Sequence, residues 1–225
     1  MNKEVLVLGG TGDIGKAISD KFSSKITDSI GSKDLDLSNL ESIDAFFIKN
    51  KNKYKIFIFC SGDNDPDLIK QSNFNKFEST ARINYQCLSY IFSSNYSCLK
   101  ELRSVVAISS LYGNLARKGR SSYVSSKHAL NGFIKNLAIE MAPKINANLV
   151  SPGFVLTKMT KKNNSPKKLN KIKSMIPMKR FANSSEVASL AHFLTTKEAS
   201  YITGSNFIID GGFSSGGFQN IIDYE

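Results

Sequence analysis

Short apolar runs alternate with stretches of helical periodicity along this chain. Val5-Leu6-Val7-Leu8 predicts a buried strand, followed by a glycine-rich turn and a helix from about Ile14 to Phe22. Ile26 to Ile30 predicts a second strand and Asp34-Leu35-Asp36-Leu37 a third, with too few residues between them for a crossover helix. Leu40 to Lys49 predicts a helix, and Lys55 to Cys60 a buried strand that ends in Ser61-Gly62. Asn73 to Leu99 predicts a long helix or a helix pair, and Ser104 to Ser109 the next strand. From Tyr123 to Met141, residues Leu130, Phe133, Ile134, Leu137, Ala138 and Met141 fall on one face, which predicts the most amphipathic helix of the chain. Ala147 to Val150 predicts a short strand stopped by Pro152-Gly153. A polar, lysine-rich stretch covers residues 157–185. Glu186 to Leu194 predicts a helix and Asn206 to Ile209 a last strand.

Apolar strands alternating with helices imply an α/β protein, a mostly parallel and doubly wound sheet of Rossmann type. With 225 residues there is room for one such domain, expected to span residues 1–225. In such a sheet ligands bind beyond the carboxyl ends of the strands, so the chemistry is sought there.

Hydrophobic residues make up 41% and charged residues 22%, a balance that excludes a disordered chain. No apolar run approaches the roughly 18 residues of a membrane span, and the N-terminus lacks the apolar core of a secretory signal. A cytoplasmic protein without membrane contact is expected. Three cysteines, Cys60, Cys87 and Cys98, with no CxxC spacing, argue against a disulfide framework or a zinc site. The two histidines, His128 and His192, are read as structural, and no metal is expected. The net charge of +11 follows from a lysine-rich composition. Nucleic acid is not expected as a partner, because neither an RNP-like aromatic pattern nor a helix-turn-helix signal is present.

Gly9-Gly10-Thr11-Gly12-Asp13-Ile14-Gly15 lies between the first strand and the first helix. Glycines there permit a tight turn and let backbone approach a pyrophosphate, so this loop is read as a dinucleotide-binding element. Ser61-Gly62 ends a later strand on the same edge of the sheet. Asp36-Leu37-Ser38 reads either as an acidic site near an adenine ring or as a capping Asp before a helix.

Tyr123 and Lys127 form a YxxxK sequence, but eight tyrosines and 25 lysines in 225 residues give about one such pair by chance. A second pair exists, Tyr96 with Lys100, read as part of an ordinary helix packed under the sheet. Context separates them. Tyr123 follows Ser110 by 13 residues, Ser110 follows a buried strand, and Tyr123 opens a helix on which an i, i+4 spacing puts it on one face with Lys127. A carbonyl taking up a hydride becomes an alkoxide that needs a proton. A tyrosine supplies one efficiently if a nearby ammonium lowers its pKa from about 10 toward 7. Ser110 would hold the substrate oxygen in line.

These residues resemble the short-chain dehydrogenase/reductase family. Ile108-Ser109-Ser110, Tyr123-xxx-Lys127, and Ile83-Asn84 in the preceding helix are similar to its active site. Ser151-Pro152-Gly153-Phe154-Val155-Leu156-Thr157 resembles its PGxVxT segment. Arg180-Phe181 with Glu186-Val187-Ala188 resembles its C-terminal helix, and Tyr201-Ile202-Thr203-Gly204 with Ile209-Asp210-Gly211-Gly212 its terminal strand signature. The resemblance covers residues 4–213. It implies an NAD(P)-dependent oxidoreductase with Tyr123 as acid/base and Ser110, Lys127 and Asn84 in its support, Asn84 through a water chain. It also implies cofactor contacts from the glycine loop, Asp36, Leu37, Ser61, Gly62, Tyr123, Lys127, Pro152, Gly153, Val155 and Thr157, and a homodimer or homotetramer. The spacing of Gly9, Gly12 and Gly15 is similar to the sugar-epimerase branch, and Asp13 stands where the reductase branch has its middle glycine. The chain ends 13 residues after Gly212, too soon for the extra domain of the epimerases, so the reductase branch is preferred. The shortening near residue 33 removes part of the adenosine side of the family fold.

NAD-preferring relatives carry an acidic residue after the second strand. This chain has Ile30-Gly31-Ser32-Lys33, and Ser32 with Lys33 would suit a 2′-phosphate, which favours NADP over NAD; Asp34 or Asp36 reaching in would reverse that. In the family residues 157–185 form a lid over the substrate, with 214–225 as a tail. Between 157 and 185 stand Lys158, Lys161, Lys162, Lys167, Lys168, Lys171, Lys173, Lys179 and Arg180, with no acidic residue. Arg117, Lys118 and Arg120 stand between Ser110 and Tyr123. The expected substrate is therefore an anionic small molecule such as a sugar or nucleotide-sugar. A 3-oxoacyl group on an acidic carrier is the alternative within the enzyme class, and a non-catalytic dinucleotide-binding protein the alternative outside it.

Overall fold

The computed structural model describes residues 3–162 and 164–216. Six strands form one parallel sheet: β1 (Val5–Leu8), β2 (Thr27–Ile30), β3 (Ile56–Phe59), β4 (Ser104–Ile108), β5 (Asn146–Pro152) and β6 (Asn206–Ile209), in the order β2-β1-β3-β4-β5-β6. Period-two alternation buries both faces of each central strand. Leu6, Leu8, Phe57, Phe59, Val105, Ala107 and Leu149 point into one core. Val5, Val7, Ile58, Val106, Ile108 and Val150 point into the other. Helices α2 (Leu40–Lys49), α4 (Cys87–Ser94) and α5 (Ser121–Met141) cover the first face, and α1 (Asp13–Ser19) and α8 (Ser184–Phe193) the second. The chain leaves β1 toward β2 on one side and returns to β3 on the other. The topological switch point therefore lies between the carboxyl ends of β1 and β3, where a doubly wound sheet opens a crevice.

The predicted strand at Asp34–Leu37 does not form. Asp34 accepts a hydrogen bond from the Gly31 N–H (2.9 Å) and Asp36 accepts from the Ser38 N–H (2.8 Å). These side-chain bonds give the backbone a turn in place of a ladder. Leu35 and Leu37 are buried as anchors of that turn. The sheet consequently ends at β2 on this side, without the outer strand that flanks it in the doubly wound order 3-2-1-4-5-6.

The first helix ends at Ser19, short of the expected Phe22. The predicted helix over 73–99 is interrupted. α3 (Phe74–Ala81) passes through a π turn at Arg82–Gln86 into α4, and a 3-10 turn follows at Tyr96–Cys98. Tyr96 is thus on the surface, not under the sheet, with the Lys144 ammonium over its ring, and Lys100 lies beyond the turn. β5 includes Pro152 instead of stopping before it. β4 pairs only as far as Val150, so the missing proline N–H removes no bond on that side. The expectation for α5 also fails in part. Its buried stripe is apolar from Leu130 to Ala138 but polar toward the N-terminus, at Ser122, Tyr123, Ser126, Lys127 and Asn131. The lysine-rich stretch carries α6 (Lys158–Lys162) and α7 (Pro166–Met175). Of the tail expected over 214–225, residues 217–225 lie outside the described residues.

Candidate active site

A cavity of about 520 Å³ opens at the switch point, within the range of small-molecule sites. Gly9, Thr11, Gly12, Asp13, Ile14 and Gly15 line one wall; Ser32, Asp36 and Leu37 the far end; Ser61 and Gly62 the floor after β3; Tyr123, Lys127 and Thr157 the opposite end. The glycines are required locally. Gly9 has φ +82°, and a Cβ there would come within 2.7 Å of the Cys60–Ser61 backbone. A Cβ on Gly15 would run into the Gly9 carbonyl. Gly62 approaches the Lys127 ammonium, where a Cβ would sit 3.5 Å from Nζ.

Lys33, Pro152, Gly153 and Val155 are not in the cavity wall. Val155 is buried, and Gly153 passes so close to Asp210 that a Cβ would come within 2.6 Å of that side chain. This segment therefore orders the strand end that presents Thr157. Asp13 accepts a hydrogen bond from the backbone N–H of Lys158, which ties the start of α6 to the glycine loop. Asp36 lies at the cavity edge while its carboxylate accepts from the N–H and hydroxyl of Ser38. The capping reading of Asp36 fails, because α2 is capped by Asn39, whose side chain accepts from the Ser42 N–H.

Ser110 stands at the end of β4, its hydroxyl accepting from the Tyr112 N–H (3.1 Å) and hydrogen-bonded to the Tyr123 phenol. Lys127 is buried, donates to the Ile108 carbonyl (3.0 Å), and lies 5.8 Å from the centroid of the Tyr123 ring. Asn84 sits in the π turn with no exposed surface. It accepts from the Asp63 N–H (2.7 Å) and donates to the Asp63 carbonyl (3.0 Å) and to Ser126 Oγ (2.8 Å). A π turn shifts the helix register, and here it coincides with the residue aimed at α5.

The electrostatics differ from the sequence expectation. Burial holds the Tyr123 phenol above its ordinary 10 and outweighs the lowering by the Ser110 hydrogen bond and the Arg120 charge. Lys127 is not what sets it. Burial instead pushes the Lys127 ammonium down to about 8. With a low-dielectric surrounding, the desolvation of each charged form exceeds the attraction expected between them.

Several residues of the site carried no signal in the sequence reading. Asn131, one turn beyond Lys127 on α5, accepts from Ser109 Oγ (2.5 Å) and donates to the Gly113 carbonyl (2.9 Å), which fixes the turn after Ser110. A buried Asn in an otherwise apolar stripe was the available clue. Asp67 accepts from the Ser122 N–H (3.0 Å) at the start of α5, from 55 residues away. No local pattern could have shown that.

A family model described as enoyl-(acyl carrier protein) reductase matches residues 10–214. The chain is similar to the 3-oxoacyl-(acyl-carrier-protein) reductase of Buchnera aphidicola subsp. Schizaphis graminum, 32% identical over 237 residues, covering 93% of this chain and 96% of that one. It is 27% identical to the enzyme of the same name from Escherichia coli, over 93% of this chain and 89% of that one. Among solved structures it is similar to the ligand-free aldohexose dehydrogenase of Thermoplasma acidophilum, with TM-score 0.85, 26% identity, and coverage of 95% and 94%. It is also similar to a 4-hydroxyisoleucine dehydrogenase complexed with NADH, with TM-score 0.86, 26% identity, and coverage of 96% and 100%.

Proposed function

Given that this chain belongs to the short-chain dehydrogenase/reductase family and is an NAD(P)-dependent oxidoreductase, we propose that it interconverts a carbonyl and a secondary alcohol on an anionic substrate. Tyr123 is the acid/base of that reading. The observation that carries it is the meeting of Tyr123 and Lys127 at one end of the cavity whose other end is the glycine loop, with Ser110 beside Tyr123 but outside the cavity wall.

The cavity fits a dinucleotide: Gly9 and Gly15 let the loop fold tightly on itself and against Cys60–Ser61 at the cavity wall, and Gly62 brings backbone up to Lys127. Bound there, the nicotinamide ring supplies or takes up the hydride. Ser110 holds the substrate oxygen by a hydrogen bond. Tyr123, kept protonated by burial, donates its proton to the alkoxide oxygen as the alcohol forms, and accepts one in the reverse direction. The Lys127 ammonium stabilises the phenolate that remains. Asn84 holds the loop after β3 against α5. Residues 157–185 act as the lid, hinged where Asp13 holds Lys158.

We infer NADP as the preferred cofactor. Gly31-Ser32-Lys33 follows β2, with Ser32 in the cavity wall, and the carboxylates of Asp34 and Asp36 are both engaged by their own turns. The substrate reading has two forms. The basic segments beside the site favour a sugar or nucleotide-sugar, while the curated relatives named 3-oxoacyl-(acyl-carrier-protein) reductase favour an acyl chain on an acidic carrier. The reading further places the enzyme in the cytoplasm as a homo-oligomer, its three cysteines unpaired. The test is a screen of sugar, nucleotide-sugar and acyl-carrier substrates against NADPH and NADH, with fluorescence titration of each cofactor. Tighter NADPH binding and turnover of a charged substrate are expected. Equal or tighter NADH binding removes the cofactor preference, and a preferred neutral substrate removes the anionic one.

A further inference from the structure

We propose that Arg120, with Arg117 beside it, forms a subsite for an oxyanion that the substrate carries close to its reacting carbonyl. The proposal rests on the reading of Tyr123 as the residue that meets the substrate. Five arginines occur in the chain. Three are ion-paired to a glutamate: Arg82 to Glu78 (2.9 Å), Arg103 to Glu101 (3.7 Å) and Arg180 to Glu186 (2.7 Å). The two without such a partner among the described residues are the two next to Tyr123.

Their burial runs against what an unpaired charge favours. Arg120 is 6% exposed, and it immediately precedes α5, three residues before Tyr123. Among the described residues its guanidinium makes one hydrogen bond, from Nη1 to the Asn64 carbonyl (2.6 Å), although it carries five N–H donors. Arg120 is not itself in the cavity wall, but it bonds to Asn64 and its charge acts on Tyr123, and both of those residues line the cavity. Arg117 donates from Nη1 to the Tyr112 hydroxyl (3.0 Å) and lies over the rings of Tyr112 (5.5 Å) and Phe154 (5.8 Å). Burial and the charge of Arg117 weigh on the Arg120 cation more than the nearby Asp67 carboxylate relieves it. A buried cation short of a counter-ion destabilises the fold by itself. Where such an arrangement persists in a cleft, a ligand supplying the missing charge accounts for it. The fork of a guanidinium suits the planar pair of oxygens of a carboxylate or two oxygens of a phosphate. The exposed lysines of residues 157–185 act on remote charge; Arg120 reads a charge held near the reacting atom.

The experiment compares matched carbonyl pairs: acetoacetate with its methyl ester, and dihydroxyacetone phosphate with dihydroxyacetone. A carboxylate is the natural anion if the first pair separates more, a phosphate if the second does. In the wild type the charged member has the higher kcat/KM, and Arg120→Gln lowers the charged-to-neutral ratio by at least about tenfold. Arg120→Lys recovers part of the ratio, and Arg117→Gln, at a less buried position, lowers it less. A uniform loss on charged and neutral members alike makes Arg120 a structural brace and overturns the proposal, as does a wild type that prefers neither. A parallel measurement needs no turnover. Malonate and inorganic phosphate raise the melting temperature of the wild type and of Tyr123→Phe, and the rise is lost in Arg120→Gln and reduced in Arg117→Gln. If none of the carbonyls is turned over while these shifts hold, the subsite stands and the reading of the reaction falls. Shifts that are absent from the wild type, or unchanged in both arginine variants, remove the subsite.

Discussion

Tyr123 is held as a neutral phenol by its burial, so the proton-donor role proposed for it requires no further tuning in the direction of reduction. Tyr123→Phe removes only the donor, and kcat is expected to fall by about 10²- to 10⁴-fold while the dissociation constant for NAD(P)H stays close to wild type. Tyr96→Phe, at the surface turn, leaves kcat unchanged. Steady-state kinetics and cofactor fluorescence measure both, and a Tyr123→Phe enzyme with most of its kcat would disprove the assignment. The pH dependence belongs to Lys127. Its ammonium, pushed down to about 8, loses its proton as pH rises through that value, so kcat is expected to fall on the alkaline side of about 8. Tyr123 titrates higher and does not produce that limb. The sign for stability is opposite. The unfolded lysine keeps its proton up to 10.5, so between about 8 and 10.5 the unfolded state binds more protons and folding gains stability as pH rises. Denaturant midpoints across that range, compared between wild type and Lys127→Met, check the sign: the wild type gains on the variant with rising pH.

Element positions decide which of these residues can act together. The first turn of α5 has no cap of its own, and Asp67, from the loop after β3, accepts from its Ser122 N–H. That bond locks the strand-end loop to the helix bearing Tyr123 and Lys127. Asp67→Ala is expected to lower stability by about 1–2 kcal/mol, as for the loss of a helix cap, and Asp67→Asn by less, since an acceptor oxygen remains. Chemical denaturation measures both; equal losses would show that the carboxylate acts by its charge and not as a cap. Element type was legible wherever apolar periodicity was long. α2 and β6 begin and end where the pattern puts them, because both are bounded by polar turn residues. The turn at residues 34–37 was misread as a strand because Leu35 and Leu37 alternate with aspartates, and only side-chain bonding to nearby N–H groups tells the two apart. The π turn at Arg82–Gln86 was illegible because helical periodicity does not record an inserted residue.

The whole molecule carries a net charge of +11, and nine of its basic residues stand in the stretch 157–185, whose first residues, Thr157 to Met159, line the cavity. Of the basic side chains in that stretch, Arg180 alone forms an ion pair among the described residues. In the proposed reading its lysines act as a field over the site, screened over about 10 Å at 0.1 M salt. For a charged substrate kcat/KM is expected to fall as salt rises. Replacing both Lys167 and Lys168 by Glu is expected to raise KM with little change in kcat, since these residues influence binding and not the reacting atoms. Kinetics across a salt series test this, and salt-independent kcat/KM would remove the role of the stretch in attraction.

The sequence by itself determined the alternation of strands and helices, the parallel sheet and the nearness of Tyr123 to Lys127. Those features depend on local periodicity and on short spacings that a helix or strand end converts directly into proximity. It also placed the glycine loop, because steric demand on a Cβ is local. Only the tertiary structure decided what depends on segments far apart in the chain. It turned Asp34 and Asp36 back onto their own turns. It set burial above the Lys127 charge in governing Tyr123, and brought Asp67 to the start of α5. It also left Arg120 buried with no ion pair among the described residues. Burial and long-range hydrogen bonding are properties of the packed molecule, and the composition of any one segment does not encode them.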